Sequence, residues 1–143
     1  MNSKLDMQAI DQFIVIDDDP SMLFLCELII GRVFDKMSVV TYNNPQNAID
    51  YFINIFSKNP VTTVVMLDIN MPELSGWDVL DLLTTLEDKI IENLTVIMLS
   101  SSIDAKDKQH ATNYPLVLGY LEKPLTPARL KEVMALIDST TTV

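Results

Sequence analysis

The sequence predicts a doubly wound α/β domain, a parallel sheet covered by helices on both faces. Two observations lead there. Short apolar runs rich in Val, Ile, Leu and Met recur along the chain at Phe13 to Ile16, Val64 to Leu67, Val96 to Leu99 and Leu116 to Tyr120, with a weaker alternating run at Ser38 to Tyr42. Between them the apolar residues fall at three- and four-residue spacing, as in Leu23, Cys26, Ile29, Ile30 and Val33, or Leu130, Val133, Met134 and Ile137. Runs of four or five suit buried strands, and the wider spacing suits amphipathic helices packed on a sheet. Five alternations of strand and helix are the pattern of a parallel sheet.

The first strand ends in Asp17, Asp18 and Asp19, followed by Pro20 and Ser21. Asp19 suits the cap of the first helix, with Pro20 at its first position. Capping accounts for one Asp or two; three adjacent carboxylates repel one another, and a hard divalent cation would relieve that repulsion. Mg²⁺ fits such a site because it binds through one or two carboxylates, keeps several waters and accepts phosphate oxygens. The third strand ends in Asp68, ahead of Ile69-Asn70-Met71-Pro72 and Gly76. The fourth ends at Ser100, and the fifth leads to Lys123-Pro124. In such sheets ligands sit beyond the carboxyl ends of the strands, where strand order reverses. Asp17, Asp18, Asp68, Ser100 and Lys123 are all expected there, as a set for a divalent cation and a phosphoryl group.

At 143 residues and 48% hydrophobic composition the chain is expected to form one domain with its own core. Residues 1–12 are expected to be an N-terminal extension, 13–138 the domain and 139–143 a tail. The first twelve residues lack the apolar block of a signal peptide, and no apolar run is long enough to cross a bilayer, so a cytoplasmic location is expected. A net charge of −10 argues against direct nucleic-acid binding and for protein partners. Cys26, the single cysteine, lies on the apolar stripe of the first helix and reads as a small buried hydrophobe. His110, the single histidine, falls among polar residues of a helix spanning Asp104 to Asn113 and reads as exposed.

With Asp17-Asp18, Asp68-x-Asn70-Met71-Pro72 through Gly76, Ser100 after its strand, and Gly119-Tyr120-Leu121-Glu122-Lys123-Pro124, the chain resembles the response-regulator receiver domain of two-component signalling. The resemblance covers about Phe13 to Asp138, and its specificity comes from the order of the motifs, each at its own strand end. It implies a flavodoxin-like (βα)5 fold with strand order 2-1-3-4-5, and Asp68 as phosphoacceptor. Asp17 and Asp18, with Asp68 and the backbone carbonyl of Asn70, would hold Mg²⁺, for which Mn²⁺ can substitute. Lys123 and Ser100 would bind the phosphoryl group, Tyr120 would be a second switch element, and the Asn70 and Ser102 side chains would tune hydrolysis. The resemblance also implies a cis Lys123-Pro124 bond.

The implied partners are a sensor histidine kinase or phosphotransfer protein and a downstream target protein, with pairing of two copies through the last-helix face as a further option. The chain would be a stand-alone receiver that catalyses its own phosphorylation and dephosphorylation, not an enzyme on a separate substrate. Ser101 and Ser102 read as helix-capping residues. Asp17-x-Asp19 also resembles the haloacid-dehalogenase phosphohydrolases, with Asp17 as nucleophile and Asp19 as general acid, but that reading leaves the Asp68 segment unexplained. A flavodoxin-like phosphate binder would need a Gly- or Ser/Thr-rich loop where the three Asp residues stand. A purely scaffolding receiver is disfavoured because every chemical position is filled.

Overall fold

The computed structural model describes residues 10–101 and 104–141. Five strands, β1 (Gln12–Ile16), β2 (Ser38–Tyr42), β3 (Thr63–Asp68), β4 (Leu94–Ser100) and β5 (Val117–Glu122), form one parallel sheet in the order β2-β1-β3-β4-β5. The helices are α1 (Pro20–Val33), α2 (Pro45–Asn54), α3 (Gly76–Leu83), α4 (Asp88–Ile91), α5 (Ala105–Ala111) and α6 (Pro127–Thr141), with a 3₁₀ turn at Phe56–Lys58. The doubly wound fold and the strand order expected from the sequence are both present. The single-turn α4 and the 3₁₀ turn are additions, too short to leave a periodic signal.

Alternate residues of each strand face opposite sides of the sheet. Ile14, Ile16, Val65, Leu67, Val96 and Met98 therefore share one core with Ala48, Phe52, Val79 and Leu83 of α2 and α3. Phe13, Val15, Val64, Met66, Ile97 and Leu99 share the other with Cys26, Ile30, Leu130 and Met134 of α1 and α6. All six residues of β3 are buried, as a central parallel strand requires, whereas the edge strands β2 and β5 are largely half-buried.

The helix starts follow local chemistry. Asp19 caps α1 by accepting from the Ser21 amide at 2.9 Å, with Pro20 in the first turn, as the sequence predicts. Asn44 and Pro45 repeat the arrangement on α2. At α5 the cap is Asp104, which accepts from the Lys106 amide at 2.8 Å. This corrects the assignment of that role to Ser101, which lies three residues too early; Ser102 lies outside the described residues. α6 continues to Thr141, past the Asp138 at which the sequence reading ends the domain.

Candidate functional site

The order of strands reverses between β1 and β3, so a crevice opens beyond their carboxyl ends. Short backbone extensions of the ladders fix what stands there. The Asp17 amide donates to the Tyr42 carbonyl at 3.1 Å, the Ile69 amide to Leu99 at 3.1 Å, and the Lys123 amide to Ser100 at 2.7 Å. These bonds carry the sheet's registration one residue past the strands and bring Asp17, Asp68, Ser100 and Lys123 to one end of the molecule.

Asp17 is wholly buried, Asp68 and Ser100 nearly so, and Asp18 is exposed. Ligand atoms of Asp17, Asp18 and Asp68 all lie within 4.8 Å of one another. Lys123 reaches into the group: its Nζ is 2.7 Å from Asp17 Oδ2 and 3.1 Å from Asp68 Oδ1. The Asp19 amide donates to Asp17 Oδ1 at 2.9 Å. Asp17 Oδ2 has no hydrogen bond of ordinary geometry, its sole close partner among the described residues being the Lys123 ammonium. The Lys123-Pro124 bond is cis.

Burial pushes the Asp68 carboxyl up to about 6, with the Asp17 charge adding to the rise; the Lys123 ammonium and the Asn70 amide oppose it. Lys123 is raised because its attraction to Asp17 and Asp68 outweighs the burial that opposes its charge. Burial pushes the Cys26 thiol up to about 12, so Cys26 is the inert core residue the sequence suggests.

These residues fit a divalent cation. Three carboxylates, one of them wholly buried, share one ammonium, and all the candidate ligands are hard oxygens. Asn70 is exposed, and its backbone amide interacts with Asp68.

Gly76 is required by packing: a Cβ there would lie 2.4 Å from the Asp68 carbonyl oxygen. The Gly76 amide also donates to Ile69 at 2.9 Å. Ser75 and Asp78 close a reciprocal cap directly before it, so the first turn of α3 is fixed against the Asp68 loop. Tyr120 sits on β5 opposite Met98, half-buried against the α2 and α3 core. Its hydroxyl is buried without a well-formed hydrogen bond to a described residue, although Ser100 and Asp107 lie close enough to influence its ionisation.

Sequence reasoning missed one feature near the site. Trp77, His110 and Tyr114 form a ring cluster joining α3 to the end of α5. The Trp77 and His110 centroids lie 4.3 Å apart edge to face, Trp77 and Tyr114 stack at 5.9 Å, and His110 and Tyr114 meet at 5.5 Å. His110 is exposed as expected, but one side of its ring is packed. No periodicity could have shown the part Trp77 plays, because it lies more than 30 positions from both of its partners.

A parallel five-stranded sheet with clustered carboxylates and a bridging lysine beyond its central strands suits a phosphotransfer signalling module. The model of the response regulator receiver domain matches residues 13–135, and the chain belongs to that family. Among solved structures it is similar to a two-component response regulator from Cytophaga hutchinsonii, at 28% identity and TM-score 0.79 over 90% of this chain and 96% of that one. It is also similar to a response regulator receiver protein from Dyadobacter fermentans DSM 18053, at 28% identity and TM-score 0.76 over 88% and 96%. Response regulator SaeR of Staphylococcus aureus (strain USA300) is 25% identical over 120 residues, 82% of this chain and 46% of the relative. The chain thus spans about half the length of the curated relatives it matches. Among the described residues no helix is long and apolar enough to cross a membrane.

Proposed function

We propose that this receiver accepts a phosphoryl group on Asp68 from a phosphohistidine of a sensor kinase or phosphotransfer protein, with Mg²⁺ held by Asp17, Asp18, Asp68 and the backbone carbonyl of Asn70. The observation that carries this reading is Asp68 itself. It is the one carboxylate that both ends the central strand and lies within reach of Lys123 and the other two acids. Mn²⁺ would serve in the same oxygen-rich site.

A carboxylate oxygen of Asp68 attacks phosphorus, and the phosphorus–nitrogen bond breaks with its electron pair passing to the imidazole. The imidazole leaves neutral because its second nitrogen carries a proton, and an aspartyl phosphate remains. A metal held by these residues would supply positive charge that eases the transfer. Asp68 acts only as carboxylate, so the lysine that opposes its raised pKa also favours its reactive form. Lys123 contributes a compact charge to one phosphoryl oxygen, and Ser100 a hydrogen bond to another.

Drawing Ser100 toward the phosphoryl group vacates space for the Tyr120 ring, and the face of α5, β5 and α6 changes shape. That face would bind a downstream protein or a second copy of the chain. The Asn70 and Ser102 side chains would set how long the phosphoryl group survives. A cytoplasmic setting, where kinase phosphohistidines form, accords with this role. Asp19 is committed to capping α1, which disfavours the phosphohydrolase alternative with Asp17 as nucleophile.

The test is intact mass after incubation with Mg²⁺ and acetyl phosphate. Gain of one phosphoryl group in the wild type and none in Asp68→Asn supports the assignment. Labelling that persists in Asp68→Asn and disappears in Asp17→Asn would replace it with the phosphohydrolase chemistry.

A further inference from the structure

We propose that Trp77 is a positioning residue that links the Asp68 loop mechanically to α5 through its contacts with His110 and Tyr114. The inference rests on Asp68 being the phosphoacceptor, and it adds a path to the output face that does not pass through Ser100 or Tyr120.

The link has three rigid joints. The first is Gly76, whose Cα is packed on the Asp68 carbonyl so closely that a methyl group would overlap it, and whose amide is bonded to Ile69. A shift of the loop's backbone therefore shifts the first residue of α3. The second is the start of α3, which the reciprocal Ser75–Asp78 cap ties into one unit with Gly76, so that Trp77 moves with it. The third is the ring cluster. Trp77 meets His110 of α5 at 4.3 Å and Tyr114, just beyond α5, at 5.9 Å.

A hydrogen bond from the Tyr114 hydroxyl to Asp81 Oδ1 at 2.6 Å makes a second tie, one turn along α3 from Trp77. This bond, with burial, pushes the Tyr114 hydroxyl up to about 12, which keeps it a donor. α5 is otherwise sparsely anchored: Ala111 is its one fully buried residue. A seven-residue helix with so little buried surface is readily displaced, and Trp77 is placed to displace it or hold it. Energetic coupling of this kind is reciprocal, so loosening the ring cluster must also alter the state of Asp68.

Trp77 is the single tryptophan of the chain, so its emission reports on this joint alone. The experiment follows emission and intact mass together after addition of Mg²⁺ and acetyl phosphate. It compares the full wild-type chain with Asp68→Asn, His110→Ala and Tyr114→Phe, and measures the decay of the phosphoryl group in each phosphorylated form and in Trp77→Phe. The expected result is an emission change that tracks phosphoryl gain in the wild type and is absent in Asp68→Asn. The phosphoryl lifetime should shift about threefold or more in His110→Ala or Trp77→Phe, the range over which residues along such a network modulate coupling. A merely structural cluster would lower the melting temperature and leave the lifetime unmoved. Phosphoryl gain with unchanged emission, or with lifetimes unchanged in all the ring variants, overturns the link and leaves the phosphoacceptor assignment standing. No phosphoryl gain in the wild type overturns both.

Discussion

Lys123 and Asp17 form the tightest charge contact in the site, 2.7 Å between Nζ and Oδ2, with the Asp17 side chain wholly buried and that of Lys123 15% exposed. The same ammonium lies 3.1 Å from Asp68. One lysine thus serves two buried carboxylates, and its removal strands both.

Lys123→Met should therefore destabilise the metal-free chain by about 2 kcal/mol, below the range for a fully buried pair because the lysine is partly solvated. Mg²⁺ should restore part of the loss, since it supplies the missing positive charge. Urea denaturation of wild type and variant, with and without Mg²⁺, measures this. Equal loss with and without the ion would show that the lysine acts by packing and not by charge.

Asp68 is costly to the fold as well as useful to the site. Its folded pKa, about 6, lies above the ordinary carboxyl value of 3.8, because burial and the Asp17 charge both disfavour ionisation. Protonation therefore favours the folded state. That contribution is fully present below pH 3.8 and is lost as the pH rises through about 6. Asp68→Asn should stabilise the metal-free protein by about 1–3 kcal/mol at pH 7.5, an advantage that shrinks toward acid. Melting temperatures of the two proteins between pH 4 and 8 decide it, and a constant difference across that range would refute the linkage.

The sheet was legible because each central strand is a short apolar run whose polar terminus is also a site residue, so one reading located strands and site together. Asp68 could be placed at the end of β3 and Lys123 beyond β5 without coordinates. What the chain alone could not convey was which carboxylate the lysine prefers, since Asp17 and Asp18 are neighbours in sequence yet one is buried and the other exposed. Asp104 stands where Ser101 was expected as the cap of α5 because several residues there can all cap, and backbone geometry alone chooses among them. The Trp77 cluster depends on the packing of α3 against α5, which local pattern does not encode.

The three glycines should respond to alanine in three different ways. Gly76→Ala places a Cβ 2.4 Å from the backbone oxygen of Asp68, which cannot retreat without moving the site. A loss of about 3 kcal/mol is expected, with impaired phosphoryl acceptance. Gly119→Ala meets a Val133 methyl at 2.7 Å, and because a side chain can yield, about 1–2 kcal/mol is expected. Gly31 has nothing within 4 Å on the exposed side of α1, so Gly31→Ala should stabilise by about 0.5–1 kcal/mol through helix propensity. Chemical denaturation of the three variants gives the order directly, and a stabilised Gly76→Ala would contradict the close approach of α3 to the Asp68 loop.

Substitution of Tyr120 tests whether phosphorylation can be separated from output. The Tyr120 ring packs partly buried on the α2 and α3 core, while its hydroxyl lacks a well-formed bond to a described residue. Under the proposed switch, ring volume and not the hydroxyl is the property that matters. Tyr120→Phe keeps that volume and should retain the phosphorylation-dependent change at the α5, β5 and α6 face, with stability within about 1 kcal/mol of wild type. Tyr120→Ala should still accept a phosphoryl group at Asp68 while losing that change, and should be less stable by about 2–3 kcal/mol from the lost aromatic packing. Amide chemical-shift differences between phosphorylated and unphosphorylated forms, compared across wild type, Phe and Ala variants, read the response at the face itself. If the Ala variant shows the full wild-type response, Ser100 does not act through Tyr120, and the Trp77 joint becomes the main route from Asp68 to α5.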